Sequence, residues 1–278
     1  EDDFTVNGAL EITGASGLIS TNGNLVLTDG ASYIHNRDGG SIPSATWAVN
    51  SVCNITGVTA TAPVSTTLNQ QFGNFTWNCP GQNAVISCFG NLKVIKGNFS
   101  VISTGTGWTT LGGTSNGDLV VDGNYTQTGG VFSITRGYAR AMTVKGVFSI
   151  TNGTFYTTND NTTLGIGTLY VAGNFSQTGG SITKTTTLIP AGSVVFNGTY
   201  NGTTGMQTFT SGGITTGEIN YTVNSGAYLQ MAAEGTVITG AGTFTLSAGA
   251  TLGIKSASGI TAETGSLTGN IRTSGGRS

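Results

Sequence analysis

The sequence predicts an all-β protein, a single-stranded right-handed parallel β-helix (β-solenoid) of about eleven coils of roughly 25 residues each. The first observation is a four-residue pattern that recurs at residues 73–76 (GNFT), 97–100 (GNFS), 123–126 (GNYT), 146–149 (GVFS) and 173–176 (GNFS). The glycines that open these copies recur about every 25 residues. The second observation is that short alternating apolar runs precede the copies, with Gly and Asn between them and no helical periodicity. Short strands joined by such corners at a fixed period are typical of a solenoid.

The repeat predicts a core ladder and a line of corner glycines. Alternation of period two sends one set of side chains inward, and a single coil cannot bury that set without a neighbour on each side. Stacked coils therefore place equivalent aromatic residues above one another, about 4.8 Å apart along the axis. The predicted ladder consists of Phe75, Phe99, Tyr125, Phe148 and Phe175. The predicted corner positions, which require a positive φ or a close backbone approach, are Gly73, Gly97, Gly123, Gly146 and Gly173.

Asparagine follows four of these five glycines, and Val147 takes its place in the remaining copy. Asparagine tolerates left-handed backbone and can hydrogen-bond to asparagine in the next coil. We expect an asparagine ladder that Val147 interrupts.

Composition excludes several classes of protein. Only 8% of the residues are charged and the formal net charge is −2, which argues against nucleic acid and anionic membrane surfaces as partners. The apolar content of 37%, with strong alternation, favours an ordered β-rich chain over disorder. No apolar run reaches the roughly 18 residues that a membrane-spanning helix needs.

We expect residues 1–278 to form one continuous solenoid. Residues 36–71 depart from the repeat and predict an irregular excursion, either a lateral loop or a distorted coil, before regular coils at 72–213. Short strands are also expected before the excursion, one of them at residues 18–20. From Ile214 onward the coils become smaller, and no cap is evident after them. An uncapped end exposes strand edges, which predicts either a longer parent protein or head-to-tail contact with another copy through the end coils.

Several segments resemble a known family. They are residues 40–47 (GSIPSATW), 53–57 (CNITG), 72–79 (FGNFTWNC) and 249–254 (GATLGI), together with the repeated GNFS copies. In these segments the chain resembles the Gly/Thr/Asn-rich surface proteins of Bacteroidota that the type IX secretion system exports. The resemblance implies an extracellular, cell-surface and often adhesin-like protein, with a separate sorting domain that is not recognisable here.

The sequence contains no clear catalytic, cofactor or metal site. A carbohydrate-active enzyme on a β-helix needs clustered carboxylates, and the twelve acidic residues are scattered. The best candidate cluster is Asp118, Asp122, Arg136, Arg140 and Lys145, on neighbouring coils. The sequence has one His and no His or Cys residues at the spacing of metal ligands, so it lacks the residues that a metalloenzyme needs. Calcium could bind in a corner near Asp29, Asp38 or Asp160, although isolated Asp in such turns usually serves the turn itself.

Two binding functions stay open. A flat face lined by threonine, as at residues 109–110 or 185–187, could bind ice, although Thr is also a favoured outward residue of strands. Exposed aromatic residues could stack on sugars, and the candidates are Trp47, Trp108, Tyr138, Tyr170 and Tyr228. The function that we predict is a non-catalytic extracellular stalk, adhesin or filament subunit. The alternatives are a carbohydrate-binding or carbohydrate-active β-helix protein and an ice-binding protein.

The three cysteines predict one disulfide. The spacing of Cys53 and Cys79 along the chain is close to one coil, so stacking would bring their Cα atoms to roughly 5 Å, within the range of a disulfide. Cys88 lies in a strand-like run where Ile86 and Cys88 face one way, which predicts a buried free thiol. The alternative is that all three cysteines are buried free thiols.

Overall fold

The computed structural model describes residues 3–14, 23–112, 117–159, 165–185, 191–199, 205–260, 269–276 and 278. The strand expected at residues 18–20 lies outside the described residues.

The described chain consists of short strands with one turn of 3-10 helix at Ser65–Leu68. The first fifteen strands are β1 (Phe4–Val6), β2 (Ala9–Ile12), β3 (Leu25–Leu27), β4 (Ser32–His35), β5 (Thr46–Trp47), β6 (Val52–Ile55), β7 (Gln71–Phe72), β8 (Asn74–Asn78), β9 (Val85–Ser87), β10 (Val94–Ile95), β11 (Phe99–Ser103), β12 (Trp108–Thr110), β13 (Leu119–Val121), β14 (Tyr125–Gln127) and β15 (Val131–Thr135). The remaining strands are β16 (Arg140–Val144), β17 (Phe148–Ile150), β18 (Thr154–Thr158), β19 (Gly167–Val171), β20 (Phe175–Gln177), β21 (Ser181–Lys184), β22 (Gly192–Phe196), β23 (Met206–Ser211), β24 (Ile214–Thr215), β25 (Ile219–Val223), β26 (Tyr228–Met231), β27 (Ile238–Gly240), β28 (Phe244–Leu246), β29 (Thr251–Gly253) and β30 (Ile271–Thr273).

The strands stack into long parallel sheets that the chain visits in turn. A regular coil passes through an eight-stranded sheet at β13, an eleven-stranded sheet at β14 and a six-stranded sheet at β15, and β16 then returns to the first sheet. A three-stranded sheet of β1, β3 and β5 precedes the eight-stranded sheet, and a two-stranded sheet pairs β27 with β30. The prediction of a parallel β-solenoid is confirmed.

Coil length varies along the stack more than the sequence repeat suggested. The eleven-stranded sheet aligns Tyr33 with Cys53 and Cys53 with Phe75, so both of these coils are shorter than the repeat. Farther along, Phe175 aligns with Phe209, and the coil between them is clearly longer than the repeat. The strands stay in register through these changes, because the corners between the sheets take up the difference in length.

Residues 36–71 belong to the stack. Strand β6 pairs with β4 on one side and with β8 on the other, and β5 pairs with β3. The interpretation of this segment as a lateral loop is therefore wrong, and the alternative of a distorted coil fits the structure. The distortion includes the 3-10 turn, where Gln70 accepts hydrogen bonds from the Ala45 N–H and the Trp47 indole.

One continuous core runs between the sheets. Its largest fully buried side chains are aromatic and include Trp77, Tyr125 and Phe148. Among the described residues, no helix has the length and hydropathy needed to cross a membrane.

Candidate functional site

The predicted aromatic ladder lies inside the solenoid. Strand register aligns its five residues in order, from Phe75 to Phe175, and each is at most 1% exposed. The ladder continues to Phe209, whose ring stacks on Phe175 with centroids 4.7 Å apart and an interplanar angle of 6°. Because the rings are covered on all sides, the ladder stabilises the stack and offers no surface to a ligand.

The sequence predicted that the five corner glycines need either a positive φ or a close backbone approach, and the structure shows the close approach. A Cβ on Gly123 would lie 2.6 Å from the Gly97 carbonyl oxygen, and one on Gly173 would lie 2.2 Å from the Gly146 oxygen. The glycines also hydrogen-bond to one another, with the Gly97 N–H donating to the Gly73 oxygen at 2.8 Å. Positive φ angles occur instead at another corner, for example at Gly130, Gly153 and Gly180.

The asparagine ladder has a different hydrogen bond from the one expected. The Asn74 Oδ1 atom accepts from the backbone N–H of Asn98, and the Asn98 Oδ1 atom accepts from the N–H of Asn124. The Asn124 Oδ1 atom accepts in the same way from the N–H of Val147, at 2.7 Å. Each asparagine side chain bonds to the backbone of the next coil. The Val147 N–H therefore still donates to Asn124, but the Val147 side chain offers no acceptor to the coil that follows.

The predicted Cys53–Cys79 disulfide is wrong in this structure. All three cysteines are free and buried. Cys53 aligns with Phe75 in the next coil, so Cys79 lies four residues farther along the strand direction, about 13 Å away at the usual rise per residue. The Cys79 thiol contacts the Ile55 carbonyl oxygen instead. The mispairing arose because the coil from Cys53 to Phe75 is shorter than the spacing of the two cysteines along the chain.

The prediction that Cys88 is a buried free thiol is confirmed, since its side chain is 1% exposed while Val85 and Phe89 face solvent. Burial raises the pKa of the Cys79 and Cys88 thiols to about 12, and it raises that of Cys53 as well. A thiol with a raised pKa is a poor nucleophile, because the thiolate is the reactive form.

The candidate charged cluster divides into two separate groups. Asp122 and Lys145 form an exposed ion pair at 2.7 Å, beyond the end of β13. Asp118 lies before the start of β13 and accepts the Ala141 N–H at 2.8 Å. Four residues of extended chain separate these carboxylates by about 13 Å, which exceeds the separations of roughly 5–9.5 Å that glycosidases use.

The cations of that cluster are held by other contacts. The buried Arg140 guanidinium donates to the Gly117 carbonyl oxygen, and burial lowers its pKa although Asp118 opposes the shift. The Arg136 guanidinium lies over the Trp108 ring, 5.5 Å from its centroid. The structure therefore does not gather these five residues around one shared point.

The candidate calcium ligands in the described corners are occupied by backbone donors. The Asp29 carboxylate accepts the Asn50 N–H at 3.1 Å. The Asp38 Oδ1 atom accepts the N–H groups of Thr59, Ala60 and Thr61 at 2.8, 2.9 and 2.8 Å. Partial desolvation opposes ionisation of Asp38, but these donors outweigh it and lower the pKa to about 2. Each carboxylate thus joins one coil to the next, as in turn chemistry.

Among the described residues, no group of three or more His, Cys, Asp or Glu side chains is arranged to hold a metal ion. Asp160 lies outside the described residues.

The aromatic residues proposed to stack on sugars do not form one platform. Trp47 is 2% exposed and belongs to the core, with its ring 5.0 Å from that of Phe72, so its assignment as an exposed residue is wrong. Trp108 lies on the six-stranded sheet and Tyr170 on the eight-stranded sheet. Tyr228 lies on the eleven-stranded sheet.

The surface that remains as a candidate site is the outward face of the eleven-stranded sheet, which we call the hydroxyl face. Strand register places one small hydroxyl side chain directly above the next in six successive coils. This column consists of Thr76, Ser100, Thr126, Ser149, Ser176 and Thr210. Beside it, three consecutive coils carry a second column of exposed threonines, Thr128, Thr151 and Thr178.

The two columns of the hydroxyl face form a regular array. Neighbouring hydroxyls are separated by about 4.8 Å across the strands and by about 6.6 Å along them. Within the described chain these side chains take part in no internal hydrogen bond or ion pair. They carry no charge, so the array can donate to and accept from a neutral polar surface.

The threonines proposed earlier for such a face lie elsewhere. Thr109 and Thr110 are 1% and 0% exposed, so they cannot contribute to an outer surface. Residues 186 and 187 lie outside the described part. The signal that would have found the hydroxyl face is the alternation that follows each repeated aromatic residue, as in Thr126-Gln127-Thr128 and Ser176-Gln177-Thr178.

Sequence reasoning also missed the buried polar residues next to the ladder. Gln127 is 0% exposed and accepts the Tyr125 hydroxyl at 2.9 Å, and its amide donates to the Gly130 and Thr154 carbonyl oxygens. Gln177 occupies the equivalent place and donates to the Ile214 oxygen. The recurrence of Gln-Thr-Gly-Gly was the available signal, because the glutamine amide donates to a carbonyl oxygen of the corner that those glycines form.

Comparisons of this chain with protein-family models, with curated proteins and with solved structures found no match.

Proposed function

We propose that this chain is a non-catalytic β-solenoid segment of an extracellular surface protein, serving as a stalk, adhesin or filament subunit. The observation that carries the proposal is the use of its chemically capable side chains. The carboxylates of Asp29, Asp38 and Asp118 accept backbone N–H groups of the following coil, and the three thiols are buried. These groups therefore serve contacts within the rod, and the hydroxyl face offers neutral polar side chains for contact with other molecules.

The extracellular location is part of the same proposal and follows from the resemblance to the Bacteroidota type IX secretion family. The free thiols are compatible with it, because a buried thiol with a raised pKa resists oxidation even in an oxidising compartment.

Adhesion through the hydroxyl face can be tested with the purified chain on arrays of surface glycans. We expect binding that Ser149→Arg abolishes, because a long cation would rise from the centre of the array. The matched control is Thr143→Arg, which places the same cation at an outward position on the eight-stranded sheet and leaves the hydroxyl face intact. Equal loss in both variants, or no binding to any glycan, would count against an adhesive role.

The enzymatic alternative has its own measurement. A carbohydrate-active β-helix would release reducing ends from plant or algal polysaccharides, and we expect no release. Release that is lost in Asp118→Asn would overturn the proposal in favour of catalysis at that carboxylate.

Ice binding is a second candidate function, and the regular array of the hydroxyl face is the observation that favours it. A neutral lattice of hydroxyls at fixed spacing in two directions can match a crystalline surface that is itself periodic. We expect Thr128→Lys and Thr151→Lys to remove any thermal hysteresis that the chain produces, while Thr143→Lys on the eight-stranded sheet leaves it intact. A freezing point equal to the melting point in the unmodified chain would exclude this candidate.

The partners implied by a filament or stalk are other copies of the chain, or adjoining segments of the same protein, joined through the end coils. Among the described strands, β2 and β29 each have a neighbour on one side only in the eleven-stranded sheet. The coil that contains β2 carries the acidic Asp3 and Glu11, whereas Lys255 and Arg272 lie near the other end. Opposite charges favour head-to-tail contact over head-to-head contact.

Electron microscopy of the concentrated protein tests this contact. End-to-end fibres would support it, and particles that associate only side by side would contradict it.

A further inference from the structure

The only histidine of the chain is enclosed in the second coil. His35 ends β4 and is 0% exposed. Its Nε2 atom lies 2.8 Å from the Gly39 carbonyl oxygen, and its Nδ1 atom lies 3.0 Å from the Tyr33 hydroxyl. Because a carbonyl oxygen can only accept, Nε2 carries the proton and Nδ1 accepts from Tyr33. Both ring nitrogens are therefore satisfied when the imidazole is neutral.

The surroundings of His35 disfavour an imidazolium ion. A proton on Nδ1 would face the hydrogen of the buried Tyr33 hydroxyl, which would have to turn and become an acceptor. The nearby Arg37 side chain donates to the same Gly39 oxygen at 3.3 Å and adds a positive charge. The neighbouring thiol of Cys53 is neutral because burial raises its pKa. Two carboxylates contact this corner, and both already accept hydrogen bonds. The Glu11 Oε1 atom of the preceding coil accepts from the Asn36 amide at 2.8 Å, and the Asp38 Oδ1 atom accepts three N–H groups of the next coil.

The corner that follows His35 joins three successive coils. Arg37 donates to the Gly14 carbonyl oxygen of the preceding coil at 2.8 Å. In the other direction, the Gly39 N–H donates to the Thr61 oxygen at 3.0 Å. The His35 carbonyl oxygen accepts the N–H groups of Thr56 and Gly57. A disturbance of the imidazole therefore acts on contacts in both directions along the stack.

We propose that His35 and residues 36–40 form an acid-sensitive clamp that holds the first three described coils together at neutral pH and opens when the imidazole is protonated. Opening lets the imidazolium reach water and releases the bonds from Gly39 and Arg37 to the neighbouring coils. The coils from Phe75 onward, which contain no histidine, stay closed. The clamp gives this end of the rod a response to mild acid that the rest of the rod lacks.

Acid favours the open form of the clamp, because the pKa of His35 is lower in the closed form than in the open form. Burial lowers the pKa of His35 below its ordinary value of 6.5, with the positive charge of Arg37 adding to the effect and the bond to Gly39 opposing it. The open form titrates near the ordinary value, so the closed form keeps its full stability above pH 6.5 and loses it as the pH falls below that value. Each pH unit below this point favours the open form by about tenfold until the closed form itself takes up the proton.

Hydrogen exchange of the full chain, followed by mass spectrometry and corrected for intrinsic rates, tests the clamp. Between pH 7.5 and pH 5.0 we expect peptides from residues 31–61 to exchange up to about thirtyfold faster, while peptides from residues 119–180 stay unchanged. His35→Gln is the matched variant, because an amide can donate to Gly39 and accept from Tyr33 but does not titrate. Its exchange should not respond to pH over this range. The same acceleration in this variant, or a uniform acceleration along the chain, would overturn the proposal.

A second measurement uses the unmodified chain, so it does not require any variant to fold. Because the chain has one histidine, a sample labelled with ¹⁵N in histidine gives a single imidazole spectrum. We expect the Nε2–H tautomer at pH 7.5, with protonation that coincides with the increase in exchange. Protonation at the ordinary value with no change in exchange would show that His35 does not control the corner.

Discussion

A phenylalanine of the ladder contacts rings in the coil before and the coil after its own. The Phe148 ring stacks on Tyr125 and Phe175 with centroids 5.1 and 5.2 Å away, and it meets the edge of Phe155 at 5.1 Å. We expect Phe148→Ala to lower the free energy of unfolding by about 3–5 kcal/mol, because the neighbouring coils cannot close over the cavity.

The control for Phe148→Ala is Phe4→Ala in β1, since the Phe4 side chain is 49% exposed. That change should cost less than about 1 kcal/mol. Urea denaturation monitored by circular dichroism measures both values, and equal losses would place the ladder outside the stabilising core.

Glycine at the corners is required by distance. The Gly123 N–H donates to the Gly97 oxygen at 2.9 Å, which fixes the separation of the two coils, and a Cβ on Gly123 would lie 2.6 Å from that oxygen. We expect Gly123→Ala to destabilise the chain by about 1–3 kcal/mol, as other overpacking substitutions do. The matched control is Gly8→Ala, where an added Cβ meets no atom within 4 Å. Thermal unfolding midpoints compare the two, and a neutral Gly123→Ala would mean that the coils can separate at no cost.

The corner between the eight-stranded and eleven-stranded sheets is held by asparagine side chains that reach forward by one coil. The gap in this series follows Val147, whose side chain offers no acceptor to the backbone of Asn174. We expect Val147→Asn to stabilise the chain by about 1 kcal/mol, by supplying the bond that Asn124 supplies to Val147.

The comparison variant is Val120→Asn, an outward position in the middle of β13. It should be neutral or destabilising, because asparagine is disfavoured within a strand. A stabilisation of the same size at both positions, measured by denaturation, would show that the corner bond is not its cause.

The whole molecule is a series of coils that contact only their neighbours. Its free energy of unfolding should therefore be a sum of terms from single coils and from pairs of neighbouring coils. Phe175 and Phe209 stack directly, whereas Phe75 lies several coils away from Phe209. We expect the double variant Phe175→Ala with Phe209→Ala to depart from additivity by about 0.5–3 kcal/mol, and Phe75→Ala with Phe209→Ala to add within about 0.5 kcal/mol. Coupling of equal size in both pairs would indicate that the rod responds as one unit.

The sequence allowed the solenoid and its aromatic register to be predicted, because Phe75 to Phe175 recur at nearly constant spacing and alternate with polar residues. It did not allow the coil lengths between Tyr33 and Phe75 to be predicted, since those coils lack the repeated pattern. The predicted disulfide between Cys53 and Cys79 was wrong for that reason.

The direction of a threonine could be predicted only next to the repeated pattern. Thr126 directly follows Tyr125 of the ladder, so alternation places it outward, whereas Thr109 and Thr110 follow no copy of the pattern and their burial was hidden from the sequence.

Because the corners absorb differences in coil length, the length of the stack depends on the number of coils. The short coil from Tyr33 to Cys53 and the long coil from Phe175 to Phe209 each add one strand to the eleven-stranded sheet. Each therefore lengthens the rod by the same step of about 4.8 Å. The distance that the rod spans is thus counted in coils and not in residues, so a corner can gain or lose a loop while the reach of the molecule stays constant.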